Sequence, residues 1–131
     1  EDAVAVHPVR PAHWGVSLRQ QRKSMYNALL YKKHARLYRE RIQPAPPWHY
    51  YGAVGALLAA GAAGTTGHRR LAAGAAAGWL ALTVRFCAMR LRGTSHAPGH
   101  IAEMAVTSAL IPPLSVFWRL RGAVKFRVLF L

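Results

Sequence analysis

The sequence predicts a mainly α-helical membrane chain, with a basic amphipathic helix at the interface followed by two to three transmembrane helices. Three observations point there. The chain is 53% hydrophobic and yet carries a formal charge of +14, a pairing that a soluble domain of 131 residues cannot easily accommodate. The two properties are segregated: basic residues crowd into residues 10–41, 68–70, 85–92 and 119–127, with apolar runs between them. Those runs approach the length of a bilayer span, and basic blocks at their ends suit a negatively charged lipid surface. A nucleic-acid binder would share the charge but has no use for long runs of Ala, Gly and Leu, so no nucleic-acid partner is expected.

Residues 1–16 read as the end of a preceding domain. Ala3, Val4, Ala5 and Val6 form a short apolar strand that stops at His7-Pro8, and Pro11 and Gly15 extend the turn. A lone strand has unpaired backbone groups, so its partners are expected in a segment before Glu1. Residues 17–43 read as one helix, with Ser17 as N-cap and Leu18, Met25, Tyr26, Leu29, Leu30 and Leu37 in one stripe. Arg22, Lys33 and Arg36 intrude on that stripe. A core helix would reject them, whereas a helix at the headgroup level can snorkel them to lipid phosphates.

Residues 44–49 form a Pro-rich linker, and residues 50–92 a two-helix transmembrane hairpin. Trp48, Tyr50 and Tyr51 supply an interfacial aromatic cluster, and Gly67-His68-Arg69-Arg70 the turn. Gly74 and Gly78 have the small-residue spacing that lets helix backbones approach. Residues 93–131 hold a polar loop, a third apolar helix and a basic tail, with the helix expected to break at Pro112-Pro113. Three full crossings would put the basic tail opposite the basic helix, against the positive-inside tendency. The third stretch is therefore expected to turn back at the prolines or to lie in the interface. Cys87 is the single cysteine, which excludes an internal disulfide.

Three stretches resemble family 2 glycosyltransferases of bacteria. Residues 3–8 resemble the last strand of their catalytic domain, and residues 17–34, with Gln20, Gln21, Arg22, Lys23 and the Lys33-His34 pair, resemble the basic helix after it. Residues 100–122, from His100 through Glu103, Thr107-Ser108 and Pro112-Pro113 to Gly122, are similar to the C-terminal membrane region. The resemblance implies a nucleotide-sugar donor, a GT-A type α/β catalytic domain and a divalent metal, Mg or Mn, held by an Asp-X-Asp motif. It also implies the bacterial inner membrane, multi-pass, with the basic helix on the cytoplasmic side and anionic lipids as partners. The only aspartate here is Asp2, so the metal-holding pair and the catalytic carboxylate would belong to the missing N-terminal catalytic domain. The chain itself is expected to be inactive and to need no cofactor of its own.

On this resemblance His7 sits near the metal and donor diphosphate, since a neutral imidazole can ligate such an ion; otherwise it ends a strand. Gln20, Gln21, Arg22 and Lys23 loosely resemble a Gln-X-X-Arg-Trp element. No tryptophan follows, which removes support for processive synthesis, and the same side chains suit a lipid phosphate. Glu103, a carboxylate within an apolar stretch, is expected to pair with Arg90 or Arg92. His96, His100 and Glu103 have ligand-like spacing, but Pro98 and Gly99 interrupt it, so no metal site is assigned. The competing reading is a small noncatalytic basic membrane protein that binds anionic lipid or a partner protein.

Overall fold

The computed structural model describes residues 13–130; the expected strand, with His7, lies outside the described residues. Within them the chain is almost wholly helical: α1 (Val16–Gln20), a 3-10 turn (Gln21–Ser24), α2 (Met25–Lys33), α3 (Ala35–Arg41), α4 (Trp48–Thr65), α5 (Arg69–Leu91) and α6 (Pro98–Phe126). No strand occurs among the described residues.

The single helix expected over residues 17–43 is broken. The 3-10 turn interrupts it once, and His34 (φ −142°, ψ 55°) leaves helical geometry altogether. Tertiary packing accounts for the second break. Turning at His34 lets Tyr38 fold back against Tyr31 and Phe130 in edge-on ring contacts at 5.8 and 5.4 Å. Tyr38, Ala28 and Phe130 form the buried cluster of this end of the molecule, and burying two rings outweighs the helical hydrogen bonds lost at one residue.

Residues 48–91 form a helical hairpin. Helices α4 and α5 run antiparallel, with Phe86 near the end of α5 packed edge-on to Tyr50 at the start of α4, at 5.4 Å. Gly67, at φ 79°, supplies the left-handed residue of the turn. The glycines do not hold the hairpin together as their spacing implied: a Cβ added at Gly74 or Gly78 would meet open space. Only the base is anchored, at buried Ala53 and Thr83; between them no residue is buried, so the hairpin projects from the rest.

Helix α6 runs 29 residues without a break, contrary to the expected stop at Pro112-Pro113. The two prolines leave the carbonyls of Ser108 and Ala109 without their usual donors. The helix persists because its buried stripe, Ser108, Ile111, Pro112, Ser115, Val116, Arg119 and Gly122, passes straight through them. Breaking there would strip the stripe of its neighbours on both sides.

Those neighbours include residues 15–33, which lie along α6 in the same direction. The Gly15 N–H reaches Glu103 at 2.7 Å, the Arg22 guanidinium lies 5.9 Å from the Trp118 ring, and the Lys32 Nζ donates to the Phe126 carbonyl at 2.8 Å. The closest approach is at Gly122, where an added Cβ would collide with the carbonyl and Cα of Met25. After α6, Arg127 adopts φ 48°, ψ 58°. This left-handed turn, costing about 1 kcal/mol in a non-glycine residue, lets Val128 N–H bond Ala123 O at 3.0 Å and returns the tail to the ring cluster.

Two helices, α5 and α6, are long and apolar enough to cross a membrane. Helix α4 is not among them: it has 18 residues but opens on Trp48-His49-Tyr50-Tyr51, which lowers its mean hydropathy.

Replacing Gly122 by Ala is expected to destabilise the fold by about 1–3 kcal/mol, because backbone on the facing segment must move. The same change at Gly78 meets no neighbour and should be neutral or gain up to about 1 kcal/mol in helix propensity. Thermal unfolding in detergent, followed by circular dichroism, separates the two.

Candidate functional site

The functional groups of the described residues gather along α6 in three polar nodes, each set on an otherwise apolar helix. The first is at the mouth of the hairpin. Arg90, in the last turn of α5, donates from Nη1 to Thr107 Oγ1 at 2.7 Å and Ser108 Oγ at 2.9 Å. Both hydroxyl residues are fully buried. Thr107 in turn donates to the Glu103 carbonyl at 2.6 Å, the back-bond open to a helical threonine. The Arg90 guanidinium also lies 5.5 Å from the Phe86 ring, which joins the node to the aromatic base of the hairpin.

Glu103 forms the second node. Its Oε1 accepts the backbone N–H of Gly15, the residue that precedes α1 in a left-handed turn (φ 72°). The structure thus gives Glu103 and Arg90 different partners from the ion pair expected of them. Arg90 is turned to the hydroxyls, Arg92 is exposed at the end of α5, and the salt bridge found among the described residues is Arg36 to Glu40 at 3.0 Å. The physical reason is reach: Thr107 and Ser108 lie about one turn beyond Glu103 and are turned toward α5, where two hydroxyls accept from one guanidinium nitrogen.

The third node is Arg119, which is only 3% exposed. Its Nη1 donates to Gln43 Oε1 at 2.9 Å, which also accepts the Tyr38 hydroxyl at 3.0 Å. The guanidinium lies 4.3 Å from the Phe130 ring centroid. A linker residue, a helix and the returning tail are thereby tied to one cation.

The other expected residues spread along the α1–α2 surface. Gln20 ends α1 and is exposed, Gln21 donates from Nε2 to the Ser17 carbonyl at 3.0 Å, and Arg22 and Lys23 are exposed. The Arg22 and Arg121 guanidinium groups lie 5.9 and 5.2 Å from the Trp118 ring centroid. His96 is exposed in the loop before α6, and no group of three or more His, Cys, Asp or Glu converges among the described residues. The arrangement offers cations held on aromatic rings beside apolar surface, chemistry suited to binding phosphates at a lipid boundary. Sequence reading missed Gln43 and the Thr107-Ser108 pair. The pair had a signal, two hydroxyls inside an apolar run; Gln43 had none.

No protein-family model matches the chain, and no match was found among curated proteins or solved structures.

If Glu103 acts as an acceptor for Gly15 N–H, Glu103→Gln should preserve the membrane level of the protein, while Glu103→Ala should lower it; immunoblots of membrane fractions read the difference. Replacing Arg90 by Met removes charge-assisted bonds and should cost about 2 kcal/mol in thermal unfolding.

Proposed function

We propose that this chain is the membrane-anchoring C-terminal part of a bacterial family 2 glycosyltransferase, whose catalytic domain transfers a sugar from a nucleotide donor to a lipid or glycan acceptor. The reading rests on resemblance over residues 3–8, 17–34 and 100–122. The observation that supports it best is that the second of these stretches packs on the third in space: residues 15–33 lie along α6 from Glu103 to Phe126. An anchor that must hold a soluble domain at the bilayer needs its entry segment fastened to its membrane part.

The same contact bears on depth. A segment carrying Arg19, Arg22, Lys23, Lys32 and Lys33 would not follow α6 through hydrocarbon, where each charge costs about 2.5–3.5 kcal/mol. In this reading α6, though apolar enough to cross, lies in the interface with the basic segment, and the hairpin alone crosses. At 18 and 23 residues its helices are about 27 and 35 Å long end to end, against about 30 Å of hydrocarbon, with the aromatic first turn of α4 and Arg69, Arg70, Arg85 and Arg90 of α5 reaching for the headgroups. The basic tail then stays beside the basic segment, as the positive-inside tendency asks. Metal and donor chemistry would belong to the catalytic domain, and the nodes on α6 would position the anchor without reacting.

Single cysteines placed in a Cys87→Ala background test the arrangement. Residues 68, 95 and 129 serve as reporters: 95 and 129 should label from the cytoplasmic face and 68 only from the other, and labelling of 129 opposite 95 would sink it. For the enzyme reading, the frame upstream of residue 1 should encode an Asp-X-Asp motif. A start codon at that point would favour the noncatalytic membrane protein instead, as would the lack of sugar transfer by the full reading frame.

A further inference from the structure

We propose that the last turns of α6 and the returning tail form a binding site for an anionic phospholipid, with Arg121, Lys125 and Arg127 holding the phosphate and Leu120, Val124 and Leu129 the acyl chain. The proposal rests on the membrane reading above. Leu120 and Val124 stand one turn apart on the side of α6 away from Met25, and Arg121 and Lys125 stand one turn apart beside them. The two grooves of this face share Leu120 and Val124: one adds Phe117, Arg121 and Lys125, the other Ala123, Val128, Leu129 and Phe130. Val124 is 80% and Leu129 90% exposed, so the apolar floor is uncovered.

Charge complementarity names the occupant. Arg121, Lys125 and Arg127 are exposed. The carboxylates among the described residues are Glu40, bonded to Arg36, and Glu103, bonded to Gly15. Arg121 is steadied over Trp118 and Lys125 lies 5.5 Å from the Phe126 ring, which holds both heads at the apolar boundary while leaving their N–H groups free for an anion. Apolar floor and cationic rim together fit an amphiphile: a free phosphate has no use for Leu129, and an acidic peptide none for a floor at membrane depth.

Arg127 adds a separate observation. It is the single non-glycine residue with positive φ among the described residues, at the helix-ending position where glycine is usual and unstrained. An arginine kept where glycine would be unstrained adds a third exposed cation two residues after Lys125.

Native mass spectrometry of the whole chain, taken from mixed micelles of phosphatidylglycerol and phosphatidylcholine, tests the site. Phosphatidylglycerol should be retained preferentially, and Arg121→Gln, Lys125→Gln or Arg127→Gly should each lower that retention by about fivefold. Arg127→Gly should do so with an unchanged or raised Tm, since glycine relieves the turn, which distinguishes lost binding from lost folding. Equal retention of the two lipids, or full competition by inorganic phosphate at matched ionic strength, would overturn the proposal. Resistance to alkaline extraction from phosphatidylcholine vesicles reports membrane insertion independently, so failure of the anchor reading would be seen separately.

Discussion

Residues 15–33 and α6 lie against one another along most of their length, closed by the absence of a side chain at Gly122. Much else follows from that contact. It carries the uninterrupted buried stripe through Pro112 and Pro113, brings Arg22 as well as Arg121 to the Trp118 ring, and brings Lys32 to the carbonyl of Phe126. A larger residue at 122 would push the two segments apart where they come closest. Because the exposed cations of one segment and the apolar residues of the other share a depth, the contact also constrains where both can sit relative to a bilayer.

In a chain with 18 basic and 4 acidic residues, the two cations enclosed beside α6, half-buried Arg90 and buried Arg119, are met by neutral groups and not by carboxylates. Arg90 is met by two hydroxyls and a ring, and Arg119 by an amide oxygen and a ring. Neutral acceptors leave the charge of a guanidinium in place, and at Arg119 they leave Nε and Nη2 buried without a hydrogen-bond partner, so both arginine nodes stay positive. Glu103 is spent on a backbone N–H, fastening the start of α1 to α6. The polar groups in the apolar part therefore work as fasteners between segments, a role compatible with an anchor that leaves chemistry to another domain.

The hairpin presents a different surface. From residue 54 to residue 82 nothing is buried, and Leu57, Leu58, Leu71 and Leu80 are exposed among alanines and glycines. In water such a surface would be costly; in lipid it is the expected exterior, since lipid chains match it. An apolar projection and a cationic, ring-studded base are the two halves of the proposed anchor.

Much of this was legible along the chain. Alternation of apolar and basic blocks announced helices and their rough limits, Gly67 the hairpin turn, and the aromatic group at residues 48–51 one end of it, because these are local properties of consecutive residues. Tertiary structure decided the rest. The break at His34 answers to Phe130, far away in the chain; the continuity of α6 through two prolines answers to its packed stripe; and Arg90 chose Thr107 and Ser108 over Glu103 by geometry across a helix pair. Local propensity can state that a helix should bend at proline or that a carboxylate needs a partner. Which cost is accepted depends on the neighbours that folding supplies, and those belong to other parts of the sequence.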